Sequence, residues 1–279
     1  MKKFLALCAV LGILSLSSCN INIHGLNNNI TLDCIKKNSE TQTVDIKGIE
    51  KIKIDIDVGD CNIIVGDSSE AVINASCEYK AISEEKAQKA MDNTKLRCET
   101  QGDTLHIDFI DSETGKKIGN TKNSNLVNII TDIEVTLPDN LKSFDISTDV
   151  GDIEISDFSG SFDISSDVGN VTANNITVTD KSSFDADVGN IDCEITGLSE
   201  AELELKADVG DIDLSLGTVE KSEIAVDSNV GDIKLDTQGK NYEEISSKKD
   251  IVEQEKKIIV DGKCTIEMKA DVGDIKVSK

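Results

Sequence analysis

Bulky and rigid residues are nearly missing from this chain of 279 residues, which has no Trp, two Tyr, six Phe and one Pro. A core with so few rings must be assembled from Ile, Val, Leu and Ala, the residues of stacked strands rather than of a bulky globular interior. Bends fall to glycine, of which there are nineteen. Only two histidines are available for acid–base work. His24 lies in a polar stretch and His106 alternates within TLHIDFI, so both read as solvent-side residues. Cations are outnumbered, 29 Lys and Arg against 53 Asp and Glu, for a formal charge of −24. That balance excludes nucleic acid and disfavours anionic membranes as partners; it suits metal cations, cationic peptides and positively charged surfaces, and it also simply confers solubility. No nucleophile elbow, H-E-x-x-H pair, P-loop or dinucleotide fingerprint occurs, so the chain is not expected to be an enzyme.

The start, MKKFLALCAVLGILSLSSCN, places Lys2 and Lys3 before an apolar run from Phe4 to Leu16. Such a run is too short to span a bilayer comfortably and reads as a secretory signal peptide over 1–18. Leu16, Ser17, Ser18 and Cys19 resemble the lipobox of bacterial lipoproteins, which implies cleavage before Cys19 and a diacylglycerol on its thiol. The expected location is therefore the cell envelope, lipid-anchored to the outer face of a bacterial membrane. Residues 19–44, opening with NINIHGLNNNITLD after the cysteine, read as the anchor and a polar tether. Six cysteines remain: Cys34, Cys61, Cys77, Cys98, Cys193 and Cys264. None forms a C-x-x-C pair, so a zinc knuckle has no support. An even number permits disulfides, but mostly structural thiols are expected, with Cys61, Cys193 and Cys264 acting as small apolar residues of an inward face and Cys77 with Cys98 the favoured pair where a bond forms, because they flank one short helix.

The richest signal is a repeat. Asp-Val-Gly-Asp or a close variant recurs seven times, with glycines at Gly59, Gly151, Gly169, Gly189, Gly210, Gly231 and Gly273. From Gly151 the steps are 18, 20, 21, 21 and 42 residues, the last being twice 21. Four before each motif valine stand Ile54, Ile146, Ile164, Phe184, Leu205, Val226 and Met268; two before it the residues are nearly all small. After the glycine, Cys61, Ile153, Val171, Ile191, Ile212, Ile233 and Ile275 share a column. Period two on both sides means two strands per repeat, each with one buried face. Val150 and Ile153 are both expected to point inward, which shifts the phase and requires a turn at Gly151 and Asp152, where glycine supplies positive φ and Asp or Asn bonds nearby donors.

A coil of about 20 residues with a fixed corner predicts an all-β, single-stranded parallel β-solenoid. Repeats occupy 138–279. The region 45–137 is expected to hold the first coil and a small strand-helix-strand insertion capping the stack, its helix running Ser83–Asn93 with Ser83 as cap and Ala87, Ala90 and Met91 inward.

The segment VTLPDNLKSFDISTDVGDIEI, a strand ending at Pro138 followed by a Gly-Asp corner, resembles the bacterial "putative adhesin" β-strand-repeat family of unknown function. The resemblance runs from about Asp45 to Lys279. It implies a β-helical envelope protein, with some members associated with adhesion or envelope stress, and supplies no catalytic residues.

Stacked corners set Asp149, Asp167, Asp187, Asp208 and Asp271 in one ladder about 4.8 Å apart. A second holds Asp152, Asn170, Asn190, Asp211, Asp232 and Asp274. These acids are read as turn residues, with Ca2+ ligation the competing reading, because a hard cation would relieve their repulsion; no other cofactor is implied. Two functions stay open. One is a non-catalytic surface lipoprotein acting in adhesion, envelope sensing or binding of a protein or polysaccharide ligand. The other is a carbohydrate-active lyase or hydrolase, for which Lys206, Lys234, Lys269 and Lys276 are the few cations on the motif strands. End-to-end self-association of the coil stack is a third expectation.

Overall fold

A computed structural model describes residues 32–118, 127–198, 200–217, 222–236 and 264–278, together with the backbone pairing of strands at 9–10, 14–19, 243–249 and 254–259. Of the expected leader only the backbone at 9–10 and 14–18 is described, and His24 and the side chain of Cys19 lie outside the described residues. Two short strands, β1 (Ala9–Val10) and β2 (Leu14–Cys19), pair antiparallel to β3 (Cys34–Asp45). The tether expected over 19–44 is thus shorter at its far end, because Cys34–Asp45 is a strand paired along its whole length with β6.

The period-two segments become strands in chain order. The first coil is β4 (Lys51–Val58) and β5 (Cys61–Val65). The insertion follows, with β6 (Glu70–Ala81), α1 (Glu84–Asn93), β7 (Thr94–Gln101), β8 (Thr104–Asp111) and β9 (Val127–Leu137). Then come β10 (Ser143–Val150) with β11 (Ile153–Ser156), β12 (Ser159–Val168) with β13 (Val171–Val178), and β14 (Ser182–Val188) with β15 (Ile191–Leu198). Next are β16 (Glu202–Val209) with β17 (Ile212–Leu216) and β18 (Ser222–Val230) with β19 (Ile233–Leu235). A hairpin of β20 (Glu243–Lys249) and β21 (Gln254–Ile259) precedes the final coil, β22 (Cys264–Val272) with β23 (Ile275–Ser278).

Strands before the glycine stack into one wall and strands after it into another. In the first wall Ile54, Ile146, Ile164, Phe184, Leu205, Met268 and Val226 are successive parallel partners. In the second, Cys61, Ile153, Val171, Ile191, Ile212, Ile275 and Ile233 are. All of these side chains are buried between the walls, where each large one contributes about 1.5–3 kcal/mol. Four of the scarce phenylalanines gather in one place, with Phe144 stacked on Phe162 at 5.1 Å, Phe162 on Phe184 at 5.9 Å, and Phe158 tilted against Phe144 at 4.8 Å.

The architecture is all-β with one helix among the described residues, but mixed, where a single-stranded parallel solenoid was expected. The insertion supplies one more parallel rung, β8 beside β4 and β9 beside β5, and then covers it with antiparallel strands: β7 on β8, and β6 on β9 followed by β3. Helix α1 packs over β3 and β6. Ser83 caps it by accepting the Lys86 N–H, Ala87 is buried, and Ala90 and Met91 pack partly buried against the core.

Coil order is the second departure. Even steps of 21 predict that each coil stacks on its predecessor, yet β22 pairs with both β16 and β18, and β23 with both β17 and β19. The last coil in sequence is therefore inserted one place before the end of the stack, and β21 runs antiparallel along the outer edge of β18.

Candidate functional site

Seven corners align along one edge of the stack. Each closes on its neighbour by backbone: Gly59 N–H donates to Val150 O at 2.8 Å, Gly151 to Val168 at 2.9 Å, Gly169 to Val188 and Gly189 to Val209 at 3.0 Å, and Gly210 to Val272 and Gly273 to Val230 at 2.9 Å. Close approach, rather than φ alone, demands glycine here. A Cβ on Gly189 would lie 1.8 Å from Gly169 O, and one on Gly151 would lie 2.0 Å from Gly59 O. The small column beneath the corner is buried, and its hydroxyls donate to glycine carbonyls, Ser166 to Gly151 and Ser228 to Gly273, both at 3.0 Å.

The second acid row is a hydrogen-bond ladder. Asp60 Oδ1 accepts the Asp152 N–H, Asp152 accepts that of Asn170, Asn170 that of Asn190, Asn190 that of Asp211, Asp211 that of Asp274, and Asp274 that of Asp232, all between 2.7 and 3.0 Å. One oxygen per side chain satisfies the backbone donor of the adjacent coil, a role that Asn fills as well as Asp. This use favours the turn-residue reading of the row.

The first row stays outward and charged. Lys117 reaches Asp55 at 2.6 Å and Asp57 at 2.8 Å, and Lys206 reaches Asp208 at 2.6 Å. Burial pulls the Lys117 ammonium down, but its bonds to Asp55 and Asp57 outweigh that and hold it above its ordinary value. Lys269 pairs with Asp271 at 3.4 Å, whose other neighbour Asn229 donates to it at 3.0 Å. Lys234 lies 3.8 Å from Asp274 and Lys276 lies 2.7 Å from Asp213, so the four lysines are spread over surface pairs rather than gathered around one point. Asp149, Asp167 and Asp187 have no ion pair among the described residues. Partial burial and the charges of Asp57 and Asp167 push the Asp149 carboxyl up.

The motif valines overturn the expectation that they face inward. Val150, Val168, Val188, Val209, Val230 and Val272 are 42–49% exposed. Thr148 is the last inward side chain before the corner and Ile153 the first after it; Asp149 and Val150 are both exposed. The bend thus occupies the whole Asp-Val-Gly-Asp unit instead of Gly151 and Asp152 alone. Since Val58, Val150, Val168, Val188, Val209, Val272 and Val230 are register partners, they form one continuous apolar row between two acid rows.

Among the described residues no group of three or more His, Cys, Asp or Glu could hold a metal ion. Cys61, Cys77, Cys98, Cys193 and Cys264 are buried, and burial pushes the Cys61 and Cys193 thiols up strongly and Cys77 to about 11. Cys77 and Cys98 stand on different walls, in β6 and β7, and both face the core. A cleft of about 490 Å3 lies against Asp45, Lys47, Ser69 and Pro138, and neither a corner residue nor His106 lines it.

The corner coils are also where known proteins are met. Residues 139–207 match the family model described as Toastrack DUF4097. The match spans the coils from β10 to most of β16, the part of the chain in which the sequence resembles the "putative adhesin" repeat family. No curated protein matches the chain. Among solved structures, a "putative cell adhesion protein" from Clostridium sporogenes is 15% identical, with 86% of this chain and 98% of that one covered at a TM-score of 0.41. A "putative adhesin" from Bacteroides fragilis is 16% identical, with 86% and 96% covered at 0.34. A "putative lipid binding protein" from Parabacteroides distasonis is 12% identical, with 86% and 94% covered at 0.26. At these scores nothing about the function of this chain follows from them.

Proposed function

We propose that this is a non-catalytic cell-surface lipoprotein, anchored through Cys19, whose β-solenoid-like coils display the corner edge to a protein or polysaccharide ligand in adhesion or envelope sensing. One observation carries the reading: an in-register row of half-exposed valines held between two acid rows. Exposed apolar area of this regularity is costly in water and marks a contact surface. The chemistry of the corner supports display over turnover, since the second acid row serves backbone donors and the buried thiols are held protonated. No helix of the described residues is long and apolar enough to cross a membrane, so attachment through Cys19 would come from the lipid.

The test is retention of the purified protein on cell-wall and host-surface preparations, with and without Ca2+, comparing wild type with Val168→Ser/Val188→Ser/Val209→Ser. Specific retention lost in the variant supports the reading. Clean turnover of a glycan, or retention unchanged by the substitutions, overturns it.

A further inference from the structure

We infer that the valine edge takes a cationic amphipathic α-helix of a partner polypeptide, laid parallel to the stacking axis with its apolar stripe on the valines and its lysines or arginines over the acid rows. This rests on the reading of the edge as a binding surface and specifies its occupant.

The geometry selects a helix over a strand. A peptide adding itself as a strand needs open backbone donors and acceptors. Along the row these are spent, because the N–H groups of Gly59, Gly151, Gly169, Gly189, Gly210 and Gly273 are each bonded to a valine carbonyl of the adjacent coil. The edge offers side chains only, so its occupant must bring a backbone already satisfied, as a helix does. Six steps of about 4.8 Å make the row about 29 Å long, the length of about 19 helical residues. A helical turn of about 5.4 Å drifts against the coil spacing by only about half a coil over four turns, so a straight apolar stripe follows the row.

Charge excludes the other occupants. A second copy meeting the row face to face would set acid rows against acid rows across a thin apolar seam, and an anionic lipid surface would be repelled in the same way. Lysines beside an apolar stripe reverse the sign. The demand is strongest on the central coils, where Asp149, Asp167 and Asp187 make no ion pair among the described residues, whereas Lys117 and Lys206 already hold Asp57 and Asp208. Partial burial first, and then the neighbouring charges of Asp57 and Asp167, hold the Asp149 carboxyl above its ordinary range.

The experiment is fluorescence anisotropy of a labelled 19-residue peptide with leucines at i, i+3, i+4 and i+7 flanked by lysines, titrated with the full protein. A peptide of the same composition with its periodicity permuted, and one with glutamates for lysines, serve as comparisons. Expected are saturable binding that falls about tenfold or more for the permuted peptide, loss with glutamates, and a similar fall for Val168→Ser/Val188→Ser. Asp167→Asn/Asp187→Asn should weaken binding and flatten its salt dependence. Melting curves establish that the variants are folded; a variant that melts early is replaced by the single Val188→Ser, whose side chain is half exposed. Equal binding of the permuted peptide, or folded valine variants that bind as wild type does, would overturn the inference. So would vesicle binding or concentration-dependent dimerisation through the edge without peptide binding. If surface retention is lost in the valine variants while no helix binds, the helical occupant falls and the surface reading stands.

Discussion

Replacing Gly189 by Ala separates two reasons for a glycine at the corner. The new Cβ would lie 1.8 Å from Gly169 O and 2.5 Å from its carbonyl carbon. Both are backbone atoms, so no change of rotamer relieves the overlap, and ordinary contact requires the two coils to part by roughly 1.5 Å. Three hydrogen bonds cross at that point: Gly169 N–H to Val188 O at 3.0 Å, Asn190 N–H to Asn170 Oδ1 at 3.0 Å, and Val171 N–H to Asn190 O at 2.9 Å. Parting by that distance takes all three beyond bonding length, at about 1 kcal/mol each, so the expected loss is about 3 kcal/mol. Against a stability of about 5–15 kcal/mol this is a large fraction.

Urea unfolding followed by far-ultraviolet circular dichroism measures the loss as a lower midpoint at unchanged slope. The internal comparison is Gly48→Ala. Gly48 has φ +83° but nothing within 4 Å of its added Cβ, so only left-handed strain of about 1–2 kcal/mol applies. Gly189→Ala should cost clearly more. Equal losses would mean that conformation selects glycine at the corner, and a Gly189→Ala loss below about 0.5 kcal/mol would refute the close-approach argument outright.

Asp152→Asn keeps the oxygen that accepts the Asn170 N–H and should leave the melting temperature unchanged in calorimetry, whereas Asp152→Ala should cost about 1 kcal/mol; a large loss for the Asn variant that depends on Ca2+ would assign the row to a cation instead. Asp149 has a raised carboxyl, so its charged form is the one the fold disfavours: stability is present at acid pH and lost as pH rises through the folded-state value. Asp149→Asn should therefore raise the melting temperature at pH 7 and lose that advantage in acid, and thermal melts across pH 3–7 decide it. Cys77 is raised from 9.0 to about 11 by burial, so denaturant titrations should show stability falling between those values as the unfolded thiol ionises first. Cys61 and Cys193, held protonated by burial, should resist a thiol reagent at pH 8 until the protein is unfolded.

The inward columns were legible because period two survives any stacking arrangement. The column of Ile164, Phe184, Leu205, Val226 and Met268 varies in size and shape, as residues filling one shared interior do, and all are buried. The valine row escapes the period-two pattern because alternation does not carry through the corner. Its own signal was present: a position that is Val in all seven motifs, while the buried columns vary, is not being fitted to a core. Glycine was assigned to conformation because φ is a local property, whereas the 1.8 Å approach of Gly189 to Gly169 exists only once coils stack. Lys117 was missed as the clamp on Asp55 and Asp57 because it belongs to the polar loop after β8, with no periodicity to place it.

Coil order was not written in the columns at all, since parallel rungs are interchangeable. Val226 and Met268, Ser228 and Ala270, and Ile233 and Ile275 fill equivalent places, so either coil fits against 202–216. Surface charge even points the other way. The order adopted sets Lys206 beside Lys269, whereas the motif alignment would pair Lys206 with Asp227 if 222–235 stacked directly; Asp213 meets a lysine in either order, Lys276 in the one adopted. Exposed pairs of this kind contribute only about 0–1 kcal/mol each. Edge coverage outweighs them: with 222–235 outermost, β21 pairs along β18 from Glu223 to Ser228, and the outermost strand of the other wall is β19, three residues long. A covered strand and a very short one are two of the means by which a sheet end avoids recruiting another chain, and the 42-residue step between Gly231 and Gly273 is the length of chain that makes both available.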